Sequence, residues 1–178
     1  MGTILVVDDE PDLLEAMRRV LGRVAGRVLT ALNGKEALTI LAQTQVDAVL
    51  ADIAMPVVNG LALLADMRAS GSETPVVFLS GMEDRSYVLA ALRLGAFDFL
   101  EKPYAVDELE RIMEMAVAHG CKLRELRVEL EALSGLSTLT AEQLETLRSV
   151  KRSLFLMRQE RARLEAGRLP LLGGLASA

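Results

Sequence analysis

The sequence predicts an α/β fold in which five parallel strands form one doubly wound sheet, followed by an α-helical hairpin or coiled-coil extension. Three features carry that expectation. Short apolar runs alternate with stretches of helical period through residues 1–119. The runs, such as Ile4–Val7 and Val76–Leu79, are continuously apolar rather than alternating, as strands buried on both faces should be. Beyond residue 119 the strand-like runs stop, and leucine recurs in steps of three and four.

Taken in order, the first strand over Ile4–Val7 leads to Pro11, a residue suited to the first turn of a helix. Leu13, Leu14, Met17, Val20 and Leu21 then mark one helical stripe, which ends at Gly22 and Gly26. Arg27–Leu32 reads as the second strand. Asn33 is a helix cap with Glu36 at the third helical position, opening a helix over Ala37–Leu41. The third strand, from Val46 to Ala51, delivers Asp52. Met55, Pro56, Asn59 and Gly60 form a loop before a helix over Leu61–Met67. Gly71–Thr74 turn the chain into the fourth strand, Val76–Leu79. A helix around Arg85–Leu94, a short strand over Phe97–Leu100 and a last helix from Val106 and Asp107 complete the pattern. Parallel strands need crossover connections, so the helices must cover both faces of the sheet.

Charge is unevenly spread. Residues 1–119 carry 18 acids against 10 Lys and Arg, whereas residues 120–178 carry 7 against 10. The acidic part suits a metal and repels DNA; the basic part suits an acidic partner. With no Trp, two Tyr and four Phe, the chain offers little surface for stacking bases or sugars. Cys121 is the sole cysteine, which excludes an intramolecular disulfide, argues against a four-ligand zinc site and reads as an inert thiol. No apolar stretch reaches membrane-spanning length and Met1–Thr3 lacks a basic leader, so the expected location is the cytoplasm, without membrane insertion.

Four groups follow four of the apolar runs: Asp8 with Asp9, Asp52, Ser80, and Lys102 with Pro103. In a parallel sheet they emerge together at the carboxyl ends of the strands, where open α/β folds bind ligands. Three carboxylates there repel one another unless a divalent cation sits among them. A hydroxyl and an ammonium opposite them suit a phosphoryl group. Singly, each has a plainer reading: a helix cap for Asp8 and Asp9, a strand-end acid for Asp52, a solvated turn for Lys102. Their joint order and spacing favour a phosphorylation switch.

Leu5–Pro11, Asp52–Gly60, Ser80 with Gly81, and Phe99–Pro103 together resemble the receiver domain of two-component response regulators, over residues 1–119. The resemblance implies a flavodoxin-like receiver with Asp52 as phosphoacceptor. It implies Mg²⁺ held by Asp8, Asp9, Asp52 and the backbone carbonyl of Ala54. Lys102 would pair with a phosphoryl oxygen, and Ser80 would move to hydrogen-bond it. Phe99 matches the switch aromatic of the family; its two positions would differ by apolar burial worth about 2 kcal/mol. The donor would be a sensor histidine kinase, and the only reactions would be Mg²⁺-dependent self-phosphorylation and slow autodephosphorylation. Two departures stand out: Ser80 replaces the commoner threonine, and Ala54 and Met82 cannot orient a water through their side chains. A long-lived phosphorylated state is the resulting expectation.

The output part is less legible. Leu109, Ile112, Ala116, His119, Leu123, Leu126, Leu130 and Leu133 keep one heptad register through the domain boundary. Gly120 weakens that helix by about 1 kcal/mol relative to Ala, and Ser134 with Gly135 ends it. Thr140 and Gln143 form a capping box for a second helix with Leu147, Val150, Leu154, Met157 and Leu164 on one stripe, stopped by Gly167 and Pro170. The expected organisation is a receiver over 1–119, a helical hairpin over 120–168 and a mobile tail over 169–178. Such a hairpin buries its stripes best against a second copy, so a homodimer through these helices, the receiver face or both is expected, switching a protein–protein interaction. The alternative is a transcriptional regulator. Leu139, Thr140 and Glu142–Leu144 faintly resemble the opening of a helix-turn-helix, and Arg148, Lys151, Arg152, Arg158, Arg161 and Arg163 add positive charge. No recognition helix follows, so DNA is not the expected partner. His119 lies on the apolar seam, and Gly120–Lys122 after it do not resemble a phosphohistidine box.

Overall fold

The computed structural model describes residues 2–81, 90–134, 140, 143, 145–146 and 149–150. Contacts divide the chain into two units, Met1–Cys121 and Lys122–Ala178.

In the first unit, β1 (Thr3–Val7), β2 (Arg27–Ala31), β3 (Ala48–Asp52), β4 (Val76–Ser80) and β5 (Asp98–Glu101) form one sheet in the order β2-β1-β3-β4-β5. Every pairing is parallel. The helices are α1 (Pro11–Leu21), α2 (Gly34–Gln43), α3 (Gly60–Ala69), α4 (residues 90–93) and α5 (Val106–Ser134). The chain leaves β1 toward one edge of the sheet and β3 toward the other, so the topological switch lies between them.

The starts of α1, α2 and α3 have local causes in the sequence. Pro11 opens α1, where a missing N–H costs nothing, and Arg18 and Arg19 complement the dipole at its end. Asn33 caps α2 by accepting from the Glu36 N–H at 3.0 Å, while the Glu36 carboxylate reaches back to the Leu32 N–H at 2.8 Å. Asn59 caps α3 by accepting from the Ala62 N–H at 2.8 Å.

Strand side chains alternate between two cores. Ile4, Val6, Leu50, Val77 and Leu79 face α1 and α5, meeting Leu14, Met17, Leu109, Ile112 and Met113. Leu5, Val7, Val49, Ala51 and Phe78 face α2, α3 and α4, meeting Ala37, Leu63, Leu64, Met67 and Ala91. β1, β3 and β4 are buried throughout, apart from the half-buried Thr3. β2 departs from the expected burial, because as an edge strand it leaves Val28, Leu29 and Thr30 half-covered. Of the helix expected around Arg85–Leu94, residues 90–93 are described and helical; Met82 and Arg85 lie outside the described residues.

Gly120 has a packing reason that its helix propensity hides. A Cβ there would fall inside the Asp47 carbonyl group, 2.7 Å from its carbon. The glycine lets α5 lie directly on the turn before β3. Asp47, only 2 % exposed, in turn accepts the Thr3 N–H at 2.7 Å and donates its own N–H to the Thr3 carbonyl at 2.8 Å.

In the second unit, Leu123 and Leu126 of α5 are buried with Val150, and Leu130 packs against them. At this level the stripe is covered from within the chain. The expected capping box is present: the Gln143 N–H donates to Thr140 Oγ1 at 3.2 Å, and the Thr140 N–H to Gln143 Oε1 at 2.9 Å. Leu147, Leu154, Met157, Leu164 and the tail over 169–178 lie outside the described residues, as do Arg148, Lys151, Arg152, Arg158, Arg161 and Arg163.

Candidate functional site

The strand register brings the sequence-predicted groups to one edge. Val7 pairs with Ala51, Asp52 with Leu79, and Ser80 with Glu101. Asp8, Asp52, Ser80 and Lys102 therefore all emerge at the carboxyl ends of β1, β3, β4 and β5. The Lys102 N–H donates to the Ser80 carbonyl at 2.8 Å, continuing the β4–β5 ladder one step into the site. The Lys102–Pro103 peptide bond is cis.

At the centre is the Asp52 carboxylate, 8 % exposed at the residue level. Its Oδ1 accepts from Lys102 Nζ at 2.6 Å, and its Oδ2 from the Ala54 N–H at 2.8 Å. Both oxygens are thereby fixed in orientation by charge-assisted bonds. Burial works against the Lys102 ammonium, but the hydrogen bond and charge of Asp52, with Asp8 and Tyr104 behind, outweigh it and raise its pKa above the ordinary lysine value. Lys102 is thus a fixed positive charge at neutral pH.

Gly60 makes room for this arrangement. A Cβ at Gly60 would meet the Asp52 carbonyl oxygen and stand 2.8 Å from Phe78 Cε1. Its N–H donates to the Ile53 carbonyl at 3.0 Å, joining the two ends of the β3–α3 loop just beyond the acid. Ser80 is buried beside it at 3 % exposure. Phe99 pairs with Phe78 across β4 and β5 and packs half-buried on the α2–α3 core. Tyr104 packs half-buried on the other core, and burial raises its pKa. His119 is in tilted ring contact with Phe97, centroids 5.4 Å apart, which is a packing role.

Of the three acids, two converge. Asp8 is 2 % exposed; its Oδ1 accepts the Glu10 N–H at 2.9 Å, whereas its buried Oδ2 has no hydrogen-bond partner. Asp9 is exposed. Among the described residues no three His, Cys, Asp or Glu side chains form a ready-made metal cage. What is present is an open pair of carboxylates with one orphaned oxygen. That donor set fits Mg²⁺, which takes one or two carboxylates and keeps several waters. It does not resemble a closed structural site.

Burial is the main reason the Asp8 pKa is raised, with the charges of Asp52 and Asp9 adding to it against the Glu10 N–H and Lys102. A carboxyl with a raised folded-state pKa contributes stability below its unfolded value of 3.8 and loses it as pH rises through the folded value. The ionised Asp8 is therefore a cost at neutral pH when no cation is supplied. Asp8→Asn is expected to raise the metal-free melting temperature at pH 7 by about 2–4 °C and to abolish the stabilisation by millimolar Mg²⁺. Thermal melts from pH 4 to 8, with and without Mg²⁺, check both signs.

Sequence reasoning passed over Arg68. Its guanidinium donates to the carbonyls of Ser72 at 2.9 Å, Thr74 at 3.1 Å and Gly95 at 3.0 Å, tying the turn after α3 to the turn before β5. A lone arginine near a helix end carries no signal for carbonyls that the fold brings to it.

The pattern of the family described as "Response regulator receiver domain" matches residues 4–114. Among curated relatives, the chain is 34% identical over 134 residues to the regulatory protein AtoC of Escherichia coli, covering 75% of this chain and 29% of that one. It is 35% identical over 118 residues to the DNA-binding transcriptional regulator NtrC of Salmonella typhimurium, covering 66% and 25%. With the response regulator MprA of Mycolicibacterium vanbaalenii the figures are 39% over 106 residues, 60% and 46%. The matched part thus spans less than half the length of these relatives. Among solved structures, a response regulator receiver domain protein from Clostridium thermocellum superposes with a TM-score of 0.64 at 29% identity, over 69% of this chain and 99% of that one. The receiver domain of NtrX from Brucella abortus gives 0.60 at 34%, over 65% and 98%.

Proposed function

Because the chain belongs to the response regulator receiver domain family, we propose that it is a phosphorylation switch of a two-component system, with Asp52 accepting the phosphoryl group from a histidine kinase. The observation that carries this is the Asp52 carboxylate held between Lys102 Nζ and the Ala54 N–H, beside the orphaned Asp8 oxygen.

Phosphoryl transfer to a carboxylate passes through a loose transition state, so the protein mainly positions groups and offsets charge. An Asp52 oxygen forms the new O–P bond, and the P–N bond to the donor imidazole breaks with its electron pair returning to nitrogen. Mg²⁺ held by Asp8, Asp52, the Ala54 carbonyl and Asp9 would neutralise charge on the phosphoryl oxygens. Lys102 passes from Asp52 to a phosphoryl oxygen, and the Ser80 hydroxyl donates to another. As Ser80 moves, Phe99, already half-buried, turns further inward and reshapes the face formed by α4, β5 and α5. Because α5 runs on to Ser134, that change reaches the C-terminal helices, whose pairing with a second copy or other protein it would control. The setting is the cytoplasm; no helix among the described residues is long and apolar enough to cross a membrane.

A second reading is transcriptional regulation by direct DNA contact. NtrC is named as a DNA-binding transcriptional regulator, so the expectation that DNA is not a partner draws no support from the relatives. The residues they share with this chain amount to 25–46% of their length. Salt-sensitive retention of duplex DNA by the full chain distinguishes this reading from protein pairing.

The test is phosphoramidate with Mg²⁺, followed by intact-mass spectrometry and peptide mapping. One phosphoryl group on Asp52 is expected; none, or one elsewhere, overturns the assignment. The lifetime of that group follows from Ala54, whose methyl cannot orient the attacking water. Ala54→Asn should shorten the half-life of the phosphorylated chain about tenfold, less than the roughly 10²–10⁴ of a full general base, because an amide only orients the water. An equal or longer half-life would refute the account of a slow reset.

A further inference from the structure

The β3–α3 loop holds a residue that neither backbone energetics nor packing explains. Val57 has φ of 69°, the one non-glycine among the described residues in the left-handed region. The Val58 N–H donates to the Pro56 carbonyl at 2.8 Å, so Val57 is the centre of a three-residue turn. With φ positive at its centre this is the rare, strained form of γ-turn, and a β-branched side chain is the poorest occupant of it. Glycine would hold the same turn without strain.

The side chain gains nothing inside the fold in return. Val57 is 81 % exposed, while Met55 before it is buried and Val58 after it packs on the α2–α3 core. These anchors fix the tip. The Gly34 N–H also donates to the Val58 carbonyl at 3.1 Å, pinning the turn to the start of α2. Beside that contact the β2–α2 connection presents Leu32, 43 % exposed. Two of the five exposed large apolar side chains among the described residues therefore stand on adjoining, tied loops at the carboxyl edge of the sheet.

That edge is the one through which Asp52 must be reached. The acid is 8 % exposed and stands at the foot of the β3–α3 loop, so a protein donor that brings its phosphorus within bonding distance meets the loops around it. A small donor needs no such support. From this geometry we infer that Val57, with Leu32 beside it, is an apolar docking contact for the phosphohistidine-bearing protein, held projecting by the strained turn. The inference rests on Asp52 being the acceptor.

Its signature is a split between two donors, accompanied by a gain in stability. The native chain, Val57→Gly and Val57→Ser are phosphorylated with phosphoramidate, and separately by autophosphorylated cytoplasmic fragments of histidine kinases, chosen because they transfer measurably to the native chain. Phosphoramidate rates should agree within about twofold, since Val57 touches no reacting group. The glycine variant should melt about 2–4 °C higher, as strain is relieved. Transfer from the protein donor should slow at least about fivefold, with the loss in the half-saturating concentration of the receiver rather than in the saturating rate. Equal protein-donor transfer in all three chains overturns the inference while leaving Asp52 as acceptor. Equal slowing with phosphoramidate also overturns it, by making Val57 a support of the site itself. A native chain inert to phosphoramidate at Asp52 is instead the failure of the proposed function.

Discussion

Asp52→Asn is expected to abolish phosphorylation by either kind of donor, to below the detection limit of intact-mass spectrometry, while the chain stays folded. The amide is nearly isosteric, so the Ala54 N–H keeps an acceptor and the strand end keeps its shape. What is lost is the anionic oxygen that attacks phosphorus and the partner that holds Lys102 Nζ at 2.6 Å. Lys102→Met makes a useful comparison. It leaves the nucleophile intact but removes the charge that meets the phosphoryl oxygens, and electrostatic groups of this kind are commonly worth about 10²–10³ in rate. The pair of variants separates chemistry from charge neutralisation. Should Asp52→Asn still gain a phosphoryl group at an unchanged rate, Asp52 is not the acceptor and the site has been misassigned.

The site was legible because a parallel sheet converts chain order into spatial order. Once Ile4–Val7, Val46–Ala51 and Val76–Leu79 read as strands, the residues just beyond them had to meet at one edge, and Asp8, Asp52, Ser80 and Lys102 do. Two helix starts were legible for a local reason: Asn33 and Thr140 each satisfy the N–H group three residues on, as Asn59, read only as part of a loop, also does. Direction was harder to read than position. Asp8 and Asp9 are adjacent and chemically alike, yet one is buried with an orphaned oxygen and the other is exposed. Only the path of the chain out of β1 decides which points inward. Contacts between distant segments left no trace at all. Nothing local marks Asp47 as the acid that receives the Thr3 N–H, and nothing marks Arg68 as the donor to Gly95. Val57 was hidden for the opposite reason: propensity argues against a β-branched residue at positive φ, so no pattern-based reading would place one there.

Gly120 shows how far a local reading can invert a residue's meaning. By helix propensity alone, Gly120→Ala should stabilise α5 by about 1 kcal/mol. The structure reverses the sign. The added methyl would enter the Asp47 carbonyl, a backbone group that cannot rotate away, so α5 must lift from the turn or the turn must give. Either shift strains the two Asp47–Thr3 hydrogen bonds that start β1, and it loosens Val117, which packs close to Gly2 on the same turn of the helix. Overpacking of this kind typically costs about 1–3 kcal/mol beyond any local gain, so a net loss of about 2 kcal/mol and a fall in melting temperature of about 8 °C are expected for the receiver part. Ala118→Gly, on the exposed face two residues earlier, supplies the ordinary case and should cost about 1 kcal/mol through propensity alone. Because Asp47 and Thr3 lie at the amino ends of the strands, opposite Asp52, the folded fraction of Gly120→Ala should still take a phosphoryl group from phosphoramidate at the native rate. A Gly120→Ala chain that melts higher than the native one would mean that α5 does not rest on the Asp47 carbonyl, and that the glycine is there for helix flexibility instead.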